Sequence, residues 1–234
     1  MSTNTPYLVA LTGGSGSGKS TVAEALLEAC ATPGAVIFNE DGYYWPMSHY
    51  GSADTEEQRR TIAAAVNYDD PESKETSLMA RQLADLKAGK TIQQPIYDYE
   101  RHDRKTDQFR EIAPSPIIVL EGIHALSIPE LKPLIDLAIY VDTPDDLRLA
   151  RRIRRDVVER GRDIHGVLNQ YLTTVRAAHY RHTFPAMFEA DLVIADEGLP
   201  AYGNVRASKD AIDRMLAPII ARLRAEGVIS SELS

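Results

Sequence analysis

A single cysteine, Cys30, stands in a chain of 234 residues, so no disulfide can form within it. That scarcity is expected of a reducing compartment such as the cytoplasm. Long apolar runs are missing as well. The stretch Tyr7 to Leu11 is far shorter than the roughly 20 residues of a membrane helix, and no basic region precedes it, so neither a signal peptide nor a membrane span is expected. Positive charge is in deficit: 26 Lys and Arg against 34 Asp and Glu leave a net charge of −8. Nucleic-acid phosphates reward a basic surface, so nucleic acid is not an expected partner. There are no internal repeats and no low-complexity linkers. What remains is an ordinary balance, 44 % apolar and 26 % charged, long enough for one α/β domain covering residues 1–234.

The apolar runs that are present are short and spaced. YLVALT, AVIFN (Ala35 to Asn39), PIIVL (Pro116 to Leu120), LAIYV (Leu137 to Val141) and LVIA (Leu192 to Ala195) read as five strands. Helical patterns lie between them over Ser20–Ala29, Thr55–Val66 and Glu75–Ala88, with Gly89 placed to stop the last. Thr143 is expected to cap a further helix, with Pro144 in its first turn and Gly161 at its end. Asp163 is expected to cap the next helix, which runs towards His182, and Ser208 to open the last. The tail after Gly227 is expected to fray. Residues 90–113 are polar and aromatic without a helical period, and read as an inserted β-hairpin flap. Strands alternating with helices imply a parallel sheet with right-handed crossovers, and ligands at the carboxyl ends of its strands.

GGSGSGKST occupies one of those ends. It has the G-x-x-x-x-G-K-S spacing between a strand and a helix that defines a phosphate-binding P-loop. Gly13, Gly14, Ser15, Gly16, Ser17, Gly18, Lys19, Ser20 and Thr21 are the candidate ATP-binding residues. The glycines let backbone N–H groups turn inward, Lys19 reaches the terminal phosphates and Ser20 can ligate Mg²⁺. Glu121 ends a strand and is the favoured second magnesium ligand, with Asp142 its rival. Asp41, at the end of the AVIFN strand, suits the carboxylate that orients an acceptor hydroxyl. RLARRIRRDVVERGR places Arg148, Arg152 and Arg155 on one helical face and Leu149, Ile153 and Val157 towards the other, so the helix is expected to pack on the core and still present a basic stripe. With Arg160 and Arg162 beside Gly161, residues 148–165 read as an arginine-rich lid.

Six stretches, GGSGSGKST, DGYY, NYDDP, PIYDYERHDR, LEGIHAL and RLARRIRRDVVERGRD followed by LNQY, together resemble the uridine kinases, also called uridine–cytidine kinases, of the phosphoribulokinase/uridine kinase group. The resemblance runs from about Leu8 to Ile194. It implies a P-loop nucleoside-kinase-like fold, a parallel five-stranded sheet flanked by helices, and transfer of the ATP γ-phosphoryl to the 5′-hydroxyl of uridine or cytidine, giving UMP or CMP. It makes Asp41 the catalytic base, assisted by Lys19, Arg155 and Arg160. Ser20, Glu121 and Asp41 would surround Mg²⁺. Asp69, Arg152 and Gln170 would hold the ribose, Tyr97, His102 and Arg162 the polar edge of the pyrimidine, and Tyr44, Tyr68 and Tyr99 its faces. A cytoplasmic homo-oligomer, by resemblance a tetramer, is also implied. The chain departs from the pattern at Asp70, where the family usually has histidine, and in ADEGLPAYGN after the last strand.

Two other readings are compatible with the residues. The acceptor could be a phosphorylated sugar, its phosphate held by basic residues near His102 and Arg104, or another small metabolite. A nucleotide-dependent switch would need no small acceptor, but the Asn-Lys-x-Asp stretch of guanine-specific switches is not found.

Overall fold

The computed structural model describes residues 5–196 and 209–230. In chain order the strands are β1 (Tyr7–Thr12), β2 (Ala35–Asn39), β3 (Ile92–Asp98), β4 (Asp103–Ile112), β5 (Ile117–Glu121), β6 (Leu137–Asp142) and β7 (Leu192–Ala195). The helices are α1 (Lys19–Ala29), α2 (Met47–Tyr50), α3 (Glu56–Ala65), α4 (Thr76–Lys87), α5 (Asp145–Val158), α6 (Ile164–Gln170), α7 (Arg176–Ala178) and α8 (Lys209–Ala225).

Five strands form one parallel sheet in the order β2-β5-β1-β6-β7. Strand alternation sends β1 into two cores. Leu8 and Ala10 pack with Phe38, Met79, Leu83 and Leu120 on one face, while Val9 and Leu11 pack with Val22, Leu26, Val119, Ile219 and Leu223 on the other. β5, every residue of which is buried, lies between β1 and β2. Its last residue, Glu121, registers against Leu11 on one side and Asn39 on the other. The P-loop, Glu121 and Asp41 therefore leave the sheet at the same edge, where parallel sheets bind ligands. The expected hairpin is present as a separate antiparallel ribbon of β3 and β4, irregular between Pro95 and Tyr97. Among the described residues no helix is long and apolar enough to cross a membrane.

Three expectations are corrected. Thr143 does not cap α5, whose N-cap is Pro144; its hydroxyl instead donates to the Ser17 carbonyl at 2.9 Å and ties β6 to the P-loop. The arginine face of α5, and not its apolar face, is the buried one: Arg148 and Arg152 are buried with Asp156, while Leu149, Ile153 and Val157 are only half-buried. Ion pairing with Asp156 and polar contacts to the P-loop region make that charged burial tolerable. The tail does not fray directly after Gly227, since Ile229 is buried in the second core. Asp163 does cap α6, accepting from the Gly166 N–H at 2.8 Å, and the helical path continues through π turns to Thr183. Ser208 and the stretch Glu197 to Asn204 lie outside the described residues.

Candidate active site

The P-loop wraps a cavity of about 590 Å³ lined by Gly16, Gly18, Lys19, Ser20, Thr21, Arg151 and Arg155, among others. Gly16 has φ +83°, and a Cβ there would lie 2.4 Å from the Arg148 carbonyl, so only glycine lets α5 approach this closely. Gly13, Gly14 and Ser17 line neither this cavity nor the next. They form the turn beneath, where Ser17 N–H donates to the Gly14 carbonyl at 3.0 Å. Lys19 is buried 3.8 Å from Glu121, and the Ser20 hydroxyl donates to Glu121 at 3.1 Å. Burial pushes the Glu121 carboxyl up, with Lys19 and Ser20 opposing. Its rival Asp142 is exposed at the end of β6. Ser20 and Glu121 thus offer hard oxygens side by side, a fit for magnesium, which takes one or two carboxylates and completes its shell with phosphate and water. No group of three or more acidic or histidine side chains forms a metal cage among the described residues.

A second cavity, of about 90 Å³, adjoins the first. Its walls include Ser15, Lys19, Asp41, Tyr44, Tyr68, Asp69, Tyr97, Tyr99, His102, Arg152, Arg155, Arg160, Arg162 and Gln170. Lys19 and Arg155 line both cavities. Asp41 opens a short 3-10 turn after β2, its N–H donating to Asn39 Oδ1 at 2.7 Å. Lys74 Nζ donates to Asp41 Oδ1 at 2.8 Å and the Tyr99 hydroxyl donates to Oδ2 at 2.7 Å. Burial opposes ionisation of Asp41, but Lys74, Tyr99 and Lys19 together hold its carboxyl well below the usual range. Asp69 is buried 3.9 Å from Arg152, and burial raises its carboxyl.

Arg152 is the hub of the far wall. It donates to Ser15 Oγ at 2.9 Å and to Gln170 Oε1 at 3.1 Å, and Arg162 donates to the same Gln170 oxygen at 2.9 Å. Behind them Asp156, fully buried, pairs with Arg152, Arg155, Arg160 and Arg162 at 2.9–3.6 Å. Four tyrosines line the floor in a chain. Tyr44 lies 5.6 Å from Tyr68 and 4.9 Å from Tyr97, which lies 5.5 Å from Tyr99. His102 lies 5.3 Å from Tyr68, and burial with nearby Arg162 and Arg160 holds it below its ordinary value, hence neutral near pH 7. The Arg160 guanidinium stands 4.1 Å over the Tyr99 ring.

Every residue expected to touch the acceptor therefore lines one small cavity. Sequence reasoning missed the support behind it. Lys74 and Glu40 carry no local signal beyond the adjacency of Glu40 to Asp41, and His124, although inside LEGIHAL, has no role implied by it. Asp70, the departure in NYDDP, caps a 3-10 turn through Glu72 N–H at 3.0 Å and faces His182 at 3.5 Å.

Residues 8–199 match the family described as phosphoribulokinase / uridine kinase. The chain belongs to that family. It is 43 % identical to a uridine kinase of Alkaliphilus metalliredigens over 216 residues, 92 % of this chain and 96 % of that one. It is 41 % identical to a uridine kinase of Clostridium novyi over 214 residues, 92 % of this chain and 95 % of that one. Among solved structures, phosphoribulokinase from Rhodobacter spheroides superposes with a TM-score of 0.59 at 15 % identity, covering 88 % of this chain and 76 % of that one, a likeness of fold. A member of the phosphoribulokinase / uridine kinase family is a kinase.

Proposed function

We propose that the chain transfers the γ-phosphoryl group of ATP to the 5′-hydroxyl of uridine or cytidine. The observation that carries this reading is the shared wall. Lys19 and Arg155 line both cavities, and Asp41 stands on the acceptor side of them. A γ-phosphate held by the P-loop would lie at that junction, facing a hydroxyl held by Asp41. The two relatives at 43 % and 41 % identity are uridine kinases along nearly their whole length.

The roles follow from position. Asp41 orients the acceptor hydroxyl and takes its proton as the new P–O bond forms. Its depressed basicity suits a late proton transfer, when the hydroxyl has already become acidic. Lys19 and Arg155 neutralise charge spreading over the migrating group. Asp69, Arg152 and Gln170 hold the ribose hydroxyls, and leave unpaired polar groups when the 2′-hydroxyl is missing. The tyrosines give the pyrimidine ring its flat contacts, with His102 and Arg162 at its polar edge. Magnesium bound with ATP would be held by Ser20 and Glu121, with Asp41 the third candidate, and would supply charge neutralisation of the phosphates. The α5–α6 segment, carrying Arg160 over Tyr99, acts as a lid that excludes competing water.

One contact favours a nucleoside over a phosphorylated sugar. Arg104 is committed to structure: it donates to the Tyr44 carbonyl at 2.7 Å and the Tyr43 carbonyl at 3.0 Å, and pairs with Glu75 at 2.7 Å. Nor does it line the acceptor cavity, where it would have to meet an acceptor phosphate. Initial rates of ADP release test the reading. Uridine and cytidine should stimulate release strongly and ribulose 5-phosphate should not; the reverse order would overturn it.

A further inference from the structure

Lys74 is a fully enclosed charge beside the acceptor cavity. Its side chain is 0 % exposed and lies between two carboxylates, 2.5 Å from Glu40 Oε1 and 2.8 Å from Asp41 Oδ1. The third side of the ammonium faces the Tyr44 ring, 4.1 Å from its centre. Burying such a group is expensive, and an apolar side chain of similar size is often no worse for stability. Nor is the charge needed to hold its own segment. Tyr44 and Lys74 form a backbone bridge, Glu75 N–H donates to the Tyr43 carbonyl at 2.8 Å, and Trp45 N–H donates to the Ser73 carbonyl at 3.0 Å. Arg104 clamps the same two strands of chain.

The ammonium does have one consequence that the backbone cannot supply. Glu40 is itself immobile. It is fully buried, it accepts the His124 N–H at 2.8 Å, and it fills the space that a Cβ on Gly122 would occupy, 1.9 Å from its Oε2. Lys74 is therefore anchored to the loop that follows β5 and hands that rigidity to Asp41. With Oδ1 held, the Asp41 carboxylate cannot rotate, and Oδ2 is left towards the cavity, where Tyr99 now meets it.

We infer that Lys74 is a positioning residue for phosphoryl transfer: locked on Glu40, it fixes the carboxylate of Asp41 so that one oxygen is presented to the acceptor hydroxyl. The inference rests on the proposed acceptor role of Asp41. Misplacing a reacting group by about 1 Å can cost a hundredfold in rate, so the effect belongs in kcat.

The test compares Lys74→Met with the double variant Glu40→Gln/Lys74→Met, by steady-state kinetics and thermal unfolding. Kinetics use whichever acceptor stimulates the wild-type enzyme, so a wild type indifferent to uridine would sink the acceptor assignment while still reporting on Lys74. Lys74→Met should melt lower, because Glu40 is left buried without a partner, and should lose about 10–100-fold in kcat. The double variant should recover most of the melting temperature yet keep at least a tenfold loss in kcat, with KM for ATP and acceptor within about threefold of wild type. Recovery of kcat together with the melting temperature would overturn the inference, as would a defect confined to acceptor KM. A double variant that does not fold would also count against it, by making the ammonium a requirement of the fold.

Discussion

The two ends of the cleft are built on different plans. The nucleotide end is about 590 Å³, and a single loop running into α1, from Gly16 to Thr21, supplies much of its wall. The acceptor end is about 90 Å³, and side chains from the turn after β2, the NYDDP segment, the β3–β4 ribbon, α5 and α6 converge on it. The difference follows from what each must recognise. A triphosphate asks for N–H donors, a cation and glycine conformations, which one loop can supply. A particular hydroxyl on a particular ring asks for shape and paired polar groups, which no single segment holds. The nucleotide end should therefore tolerate the loss of an acceptor-side group, and the acceptor end should fail one function at a time.

Asp41→Asn is the sharpest way to break that comparison. It should lower kcat about 10²–10⁴-fold while ATP affinity changes little, because in the proposed mechanism the group acts on the acceptor proton. Steady-state kinetics with a separate ATP-binding measurement check it. A variant keeping more than about a tenth of wild-type kcat would remove Asp41 from the reaction.

Second comes the charge cluster around Asp156, which holds the arginines of the proposed lid. Asp156→Asn leaves four arginines without their common buried partner and should cost about 3 kcal/mol of stability, measured by denaturant unfolding. Burial opposes ionisation of Asp156, but Arg155, Arg152 and Arg160 outweigh it and hold its carboxyl below the usual range. A depressed carboxyl stabilises fully above its unfolded value near pH 4, and that contribution fades as the pH falls towards the lower folded value. The acid limb of the stability curve should accordingly flatten in Asp156→Asn.

The same contrast explains what could be read before any fold was known. The P-loop was legible because its meaning is local: strand, spacing and helix sit side by side in GGSGSGKST. The five strands were legible from short apolar runs, and Asp41 and Glu121 because each ends one. The orientation of α5 was not. A face of arginines on an isolated helix belongs in water, and only the fold shows that Arg148 braces the glycine loop and that Asp156 sits among the guanidinium groups. Thr143 illustrates the same limit, since a hydroxyl ahead of a helix serves either a cap or a distant carbonyl. Lys74 was illegible for a further reason: it stands in a polar run between Ser73 and Glu75, and its partners are 33 and 34 residues away. Asp69 and Gln170 came only through family resemblance.

Asp69→Ala sharpens the division between the two ends. It should reduce acceptor kcat/KM about 10–100-fold and leave the KM for ATP within about twofold. It should also narrow the preference for uridine over 2′-deoxyuridine, because the partner of the ribose hydroxyls is gone. Competing both nucleosides in one assay measures this directly. Equal losses for ATP and nucleoside would mean that Asp69 supports Arg152 rather than ribose.

The smallest expected effect tests how the narrow cavity opens. The Tyr99 hydroxyl holds Asp41 Oδ2, the oxygen that the proposed mechanism offers to the acceptor, and Arg160 lies over the same ring. Substrate must therefore displace one hydrogen bond before it makes its own. Tyr99→Phe keeps the ring, and with it the flat contact and the stacking of Arg160, but removes the competitor. A net hydrogen bond is worth about 0.5–1.5 kcal/mol, so acceptor KM should fall roughly two- to tenfold with kcat little changed. A rise in acceptor KM would reverse the interpretation: the hydroxyl would then be a contact of the bound nucleoside, and the pocket would close around substrate with Tyr99 already in place.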